Sequence, residues 1–374
     1  MATSDSDRPP VTLFLGGDVM TGRGVDQVLP HPGDPELREA HATRATAYVR
    51  LAAKAHGRIL APVDPTYVWG DGLAILQQHQ PAASVVNLET SITNSRDFRP
   101  GKGAHHRMSP DNIDCLRAAH LDVCVLANNH VLDFGRMGLL QTLQTLQRVG
   151  IGYAGAGRNL VEATRPARVT LGHGRTLWVF ALGSPSSGIP WDWAASTTRP
   201  GLWLLREPTS AVADAIAKQA RLLARPGDVA LVSIHWGSNW GEEIPQEHVD
   251  FAHRLVDGGI AVVHGHSSHH VRAIELYRGR PIFYGMGDLI TDYEGICTPS
   301  RWRSDLGVMG MVTLSPEAGT LVELRLYPMR MCRMQLRRAD EPDRRWLAEA
   351  LDRMSEPFGA RFGEDADGAI VLRG

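Results

Sequence analysis

Val123-Cys124-Val125-Leu126-Ala127-Asn128-Asn129-His130, followed closely by Asp133-Phe134-Gly135, joins an apolar run to a polar cluster. Its apolar half is β-branched and too short and Val-rich for a helix, so it reads as a buried parallel strand. It breaks off in two amides and an imidazole. In open α/β sheets ligands bind beyond the carboxyl ends of strands, which is where these polar residues fall. Alone, they could equally cap the next helix, since Asn and Asp both do so. The decision comes from other strands that end the same way.

Further strands are predicted at 11–15, 83–87, 229–234 and 261–263. The first runs into Gly16-Gly17-Asp18 and the second into Leu88-Glu89-Thr90. The third ends in His235-Trp236-Gly237, and the fourth in His264-Gly265-His266-Ser267-Ser268-His269-His270. Gly285-Met286-Gly287-Asp288 is one more polar tip. Apolar periodicity predicts helices over 44–61, 72–79, 109–120, 138–149, 211–224, 251–257 and 343–354. Hairpins are expected at 168–181 and 274–284. With no repeat and no linker, residues 11–374 read as one domain, its core at 11–290 and a C-terminal hairpin and helix at 306–374. Residues 1–10, polar with Pro9-Pro10, are expected to be disordered.

Composition narrows the function. The chain has 374 residues, 43% hydrophobic, and a formal charge of −2, enough to bury a large core and without the basic footprint of a nucleic-acid binder. Its cations are nearly all Arg: Lys54, Lys102 and Lys218 are its lysines, which reads as genome composition rather than function. Cys115, Cys124, Cys297 and Cys332 have neither disulfide-framework nor zinc-knuckle spacing. No signal peptide and no run of membrane-spanning length is visible, so a cytoplasmic protein without a membrane partner is expected.

A lone histidine at a strand end is more often a hydrogen-bonded surface residue than a ligand. Acids, amides and imidazoles at successive tips of one sheet are harder to explain without a cation. Imidazole, carboxylate and amide oxygen together suit Mn, Fe or Zn better than Ca or Mg. The set exceeds what one tetrahedral ion needs, which points to two divalent ions.

At this point the sequence resembles the CapA-type proteins of poly-γ-glutamate capsule synthesis, in the calcineurin-like metallophosphoesterase superfamily. The residues that carry the resemblance are Gly17-Asp18-Val19-Met20, Asn87-Leu88-Glu89-Thr90, Ala127-Asn128-Asn129-His130, His235-Trp236-Gly237, Gly265-His266-Ser267-Ser268-His269 and Tyr284-Gly285-Met286-Gly287-Asp288. The resemblance implies an α/β fold, a layered β-sandwich flanked by helices, with a binuclear metal site at the C-terminal ends of the strands. Carried over, Asp18, Glu89, Asn129, His235, His266 and His269 are the expected metal ligands, with His264 as a competitor. His130 is the expected acid/base. Met20 replaces the superfamily's usual His, the second His of the last motif comes three after His266, and Asn87-Leu88-Glu89 replaces a Gly-Asp tip. These departures weigh against phosphate-ester hydrolysis. Capsule-synthesis relatives typically carry a membrane anchor, and the lack of an apolar span here weighs against that role.

Two divalent cations would attract a substrate carboxylate. Within the family this leads first to the lasso-peptide epimerase branch, which inverts the α-carbon of a precursor peptide's C-terminal residue. Metals would stabilise an enolate while one group removes the proton and another returns it. His130 is one such group, and His264, His270, Asp288 or Glu243 the second. Trp191, Trp193, Trp236 and Trp240 are as readily packing as pocket; Trp236, Trp240 and Asn128 are the expected substrate contacts. The expected partners are a peptide with a free C-terminal carboxylate and a precursor-recognition protein. The alternatives are a binuclear hydrolase of a phosphoester or γ-glutamyl amide, and a metal-free binding module.

Overall fold

Two β-sheets face each other and are clad by helices on their outer sides, in a computed structural model that describes residues 9–296, 300–317 and 319–373. Most of the N-terminal segment expected to be disordered, and Cys297, lie outside the described residues. In the first sheet Val11–Val19, Ala83–Leu88, Val123–Val125 and Gly152–Ala154 run parallel, side by side. In the second, Thr176–Gly183, Val229–His235, Val262–His266 and Arg280–Phe283 run parallel, with antiparallel edge strands at Ala167–Thr170 and Ile274–Tyr277.

Successive side chains on a strand point to opposite faces, and here both faces of each sheet are covered. Leu13, Leu15, Val85, Val123 and Val125 meet Leu177, Val179, Leu231, Val262 and Phe283 between the sheets. The alternate residues Phe14, Val86, Leu88 and Cys124 pack outward with residues of Thr46–His56, Asp71–His79 and Gly135–Arg148. Phe180, Val232, Ile234 and Val263 pack outward with residues of Ser210–Leu223 and Gln246–Asp257. Double-sided burial is why the sequence shows continuous apolar runs rather than alternation.

Three elements differ from the sequence expectation. The helix expected over 109–120 is a 3₁₀ turn, Pro110–Asn112, and one short α-turn, Asp114–Arg117. Asn112 is drawn into a tertiary network, its amide donating to Asp26 at 2.7 Å and its Oδ1 accepting from His31 N at 2.9 Å. The helix expected over 251–257 starts earlier, giving Gln246–Asp257, because its first turn is polar on one side while His248 and Val249 are buried. The tail is not an appendage to a finished core. Leu306–Leu314 pairs antiparallel with the Val11 to Gly16 part of the first strand, and Leu321–Met331 lies beyond it. The four-residue strands Arg361–Glu364 and Ile370–Arg373, too short for periodicity to reveal, complete that edge.

His248 lies beneath the second sheet's tips, its ring stacked on Trp236 at 4.4 Å and 6°. Burial, then the nearby Arg272 guanidinium, pushes its pKa down to about 4. A histidine held neutral in the fold takes up a proton near pH 6.5 only when the chain unfolds. The unfolded state therefore binds more protons between about pH 4 and 6.5, and stability falls as pH is lowered through that window. We expect the pH dependence of the urea midpoint over this range to be shallower in His248→Gln than in the parent chain.

Candidate metal centre

The tips of both sheets meet at one place. The first sheet brings Asp18, in Val11–Val19, Glu89 just past Ala83–Leu88, and Asn128-Asn129-His130 past Val123–Val125. The second brings His235 and His266, which lie opposite each other at the ends of adjacent parallel strands. Gly17 permits the approach: a Cβ there would lie 1.9 Å from the carbonyl oxygen of Gly287, and Asp18 N donates to that same oxygen at 3.0 Å.

One oxygen of Asp18 and one ring nitrogen each of His235 and His266 lie within 4.8 Å of one another, all buried. A chain of hydrogen bonds fixes the proton of His266. Gly16 O can only accept, so the His264 Nε2 that lies 3.1 Å from it carries the hydrogen. His264 Nδ1 then accepts from the Ser233 hydroxyl at 3.1 Å. Ser233 Oγ in turn accepts from His266 Nε2 at 2.8 Å, which leaves His266 Nδ1 as a bare lone pair. On His235, Asn129 Oδ1 lies 3.2 Å from Nε2 and draws the proton there, so Nδ1 is bare too. The two bare nitrogens stand 2.8 Å apart, with Asp18 Oδ1 3.8 Å from His266 Nδ1. Two lone pairs and a carboxylate aimed at each other are what a cation satisfies.

The carboxylates are short of positive charge as well. Burial, then the neighbouring Asp288, raises the Asp18 pKa to about 7. Burial, then Asp18, holds Glu89 well above the ordinary carboxylate range. Asn87 binds the two together, its amide donating to Asp18 Oδ1 at 2.7 Å and Glu89 Oε2 at 3.2 Å. Asp18 Oδ2 is buried without any partner among the described residues. Burial pushes His235 down to about 3 and His266 well below its usual range, so both stay neutral, the state in which imidazole ligates metal. The donor set fits a divalent ion.

His130 flanks this cluster. Its Nδ1 donates to Asp133 at 2.6 Å, and its Nε2 faces Glu89 Oε1 at 3.7 Å. Lys102 holds that pair from behind, bonding Asp133 Oδ1 and Asn129 O and lying 3.2 Å from His130 Nδ1. Burial, then the Lys102 ammonium, keeps the His130 pKa well below its ordinary value.

Asp18, Glu89, Asn129, His130, His235 and His266 are thus brought together. Several other expected site residues are placed elsewhere. His264, expected as acid/base or ligand, has both ring nitrogens committed behind His266. His270 lies among Trp240 and Trp302, ring centroids 6.3 and 5.8 Å away, with Nδ1 donating to Val271 O. Glu243 is exposed. His269, expected as a ligand, stays beside the cluster at Asp288, which lies opposite Asp18 in the strand register; its Nδ1 is 3.0 Å from Asp288 and its Nε2 3.1 Å from Asn239. Burial opposes charge on His269, but Asp288 and then Asp18 outweigh it and raise its pKa. Trp236 is not a substrate contact but core, 1% exposed, its indole N–H donating to Tyr284 O. Asn128 is a brace: its amide bonds Asn87 Oδ1 and Leu88 O, and its Oδ1 accepts from His130 N. Trp240 alone among the expected aromatic contacts stands at the rim, 5.3 Å from His269. The backbone of Ser267, between His266 and Ser268, has φ 108°, a strained value for serine of the kind that collects at functional sites. A cavity of about 640 Å³, lined by Leu73, Leu76, Gln80, Ala118 and His120, opens at the opposite ends of the strands.

Asn87, Ser233, Lys102 and the bonding role of Asp133 were not assigned from sequence. The molecule is a two-sheet α/β protein with a carboxylate–imidazole cluster at its strand tips. The chain belongs to the bacterial capsule synthesis protein family PGA_cap, whose model matches residues 12–293. It is 50% identical over 363 residues to a probable polyglutamine synthesis accessory protein of Mycobacterium tuberculosis, covering 97% of this chain and 96% of that one. It is 25% identical to the PGA biosynthesis protein CapA of Bacillus subtilis, over 55% of this chain and 52% of the relative. A 5'-nucleotidase precursor from Thermus thermophilus aligns in structure with a TM-score of 0.43 and 14% identity, covering 93% of this chain and 59% of that one. Among the described residues no helix is long and apolar enough to cross a membrane.

The relay behind His266 makes a checkable claim. Outer hydrogen bonds that orient a ligand typically contribute about 10–100-fold to metal affinity. Ser233→Ala should therefore weaken zinc binding by about tenfold or more at unchanged stoichiometry, and His266→Ala should lose the site, both read by competition with a chromophoric chelator.

Proposed function

We propose that this chain is a metal-dependent hydrolase acting on an amide bond of a glutamate- or glutamine-derived chain. One observation carries the reading: bare imidazole nitrogens and buried carboxylates lie beside a histidine whose Nδ1 is bound to Asp133 and whose Nε2 is left toward the site. The names of the relatives, given for polyglutamine synthesis and PGA biosynthesis, supply the substrate class. They count against the expectation that the lack of an apolar span weighs against a capsule-related role.

Asp18, His235 and His266 would hold one divalent ion, and Glu89 with Asn129 offers oxygens for a second, of Mn, Zn or Fe type. Ions bound there supply Lewis acidity toward a carbonyl or carboxylate oxygen. The chain's own residues handle the protons. His130 Nε2 takes one from the attacking water, and Asp133 stabilises the imidazolium that results. As the C–N bond breaks, the same nitrogen returns that proton to the leaving amine. Lys102 holds Asp133 and so fixes the ring's orientation.

Epimerisation of a peptide's C-terminal residue is the second reading, and one observation favours it. The His269–Asp288 pair gives a second titrating group near Asp18, besides His130 near Glu89. Inversion needs two such groups, and in that reading a precursor-recognition protein would deliver the lasso-type peptide.

Incubation of the metal-loaded protein in D₂O with γ-glutamyl oligomers, glutamine peptides and free-carboxylate peptides separates the two. Release of amine without deuterium at the α-carbon supports hydrolysis. Deuterium incorporation without cleavage overturns it in favour of inversion. His130→Gln should lower the rate about 10²–10⁴-fold with metal content unchanged by elemental analysis.

A further inference from the structure

Beside His130 the chain leaves polar atoms unsatisfied. Thr21 Oγ1, Thr90 Oγ1 and both ring nitrogens of His106 are buried and have no hydrogen-bond partner among the described residues. Thr21 and Thr90 are 0% exposed and His106 1%. The backbone draws them together. Glu89 N donates to Val19 O at 3.1 Å, Ser91 N donates to His106 O at 2.9 Å, and Ser91 lies opposite Arg107 in a short parallel pairing. A Cβ on Gly22 would lie 2.7 Å from Arg107 N. Thr90 is one residue from the first two contacts, and Thr21 one residue from the last. The His106 ring lies 4.3 Å from the His130 ring.

Leaving a buried polar atom without a partner is costly, so four such atoms on adjoining segments call for an occupant. The charge around them narrows what it is. Arg23, two residues after Thr21, is already bound to Asp292, Glu39 and Tyr48. Lys102 is bound to Asp133. Arg107, next to His106 in the chain, donates to Ser95 O and Asp34 O, so these three cations are committed, which disfavours an anion. Two hydroxyls and one imidazole, each able to donate and to accept, match a neutral group that does both.

We propose that Thr21, Thr90 and His106 form a subsite for a substrate amide adjoining the metal centre. The proposal rests on the amide-bond reading above and specifies how the substrate is recognised: an amide N–H donates to one ring nitrogen of His106, and its carbonyl accepts from the threonine hydroxyls.

The test uses the zinc-loaded full chain with ¹⁵N-labelled histidine rings and two probes. These are N-acetylglycine and its amide-free isostere 4-methylpentanoate. N-acetylglycine should bind about tenfold more tightly and shift the His106 ring signals, identified by their loss in His106→Leu; 4-methylpentanoate should not shift them. The preference should fall to about onefold in Thr90→Val and in His106→Leu, with Thr90→Val deciding should the latter not fold. Equal affinity of the parent for both probes, or a preference that both variants keep, overturns the subsite and leaves ordered water as the occupant. Arrival of a carboxylate at the metal is read separately, from the His266 ring. If neither probe moves His266, the carboxylate-binding reading of the centre fails. N-methylacetamide, which has no carboxylate, then decides the subsite through the same His106 signals.

Discussion

Everything at the centre depends on two acids being kept side by side in a place that solvent does not reach. Asp18 and Glu89 are almost fully buried, and a single amide, Asn87, donates to both. Burying charge is tolerated only when it is paired. Without a cation the carboxylates hold their protons to unusually high pH. The rest of the architecture supplies what this arrangement demands: Asn128 fixes Asn87, and the second sheet delivers neutral imidazoles whose free nitrogens face the acids.

The division of labour between the sheets explains the site's precision. Carboxylates and amides come from one sheet and the two imidazoles from the other, so the centre exists only when both layers are docked. The apolar layer between them, from Leu13 to Phe283, holds the two sets in register. The bonded chain from Gly16 O through His264 and Ser233 to His266 also crosses that layer, so the first sheet's backbone sets the tautomer of a residue on the second.

Much of this was legible in the sequence because a polar residue that ends an apolar run is conspicuous. Asp18, Glu89, Asn129, His235 and His266 stand out for that reason. Asn87 and Ser233 do not, since each lies inside its strand and reads as an ordinary position. The available signal was spacing: Ser233 and His235, like His264 and His266, are two apart and so share a face of neighbouring strands. The histidine-rich run from His264 to His270 misled for the opposite reason. His264 and His270 have the same side chain as a ligand, and only their partners separate them from one. Lys102 was visible as one of three lysines, but composition gives no hint that it lies behind His130. The Arg107–Met108 strand that carries His106 into place has two residues, too few for any periodicity.

The position of the Val11–Val19 strand carries a consequence for synthesis. It is an inner strand, with Ala83–Leu88 on one side and Leu306–Leu314 on the other, and Val11 sits opposite Leu314. During translation the N-terminal strand emerges from the ribosome long before its second neighbour is made. Until then its open edge, with unpaired backbone donors and acceptors, is available to other chains. The nascent protein therefore passes through an extended period of exposure to misassociation, in which a chaperone that shields one strand edge would have its greatest effect.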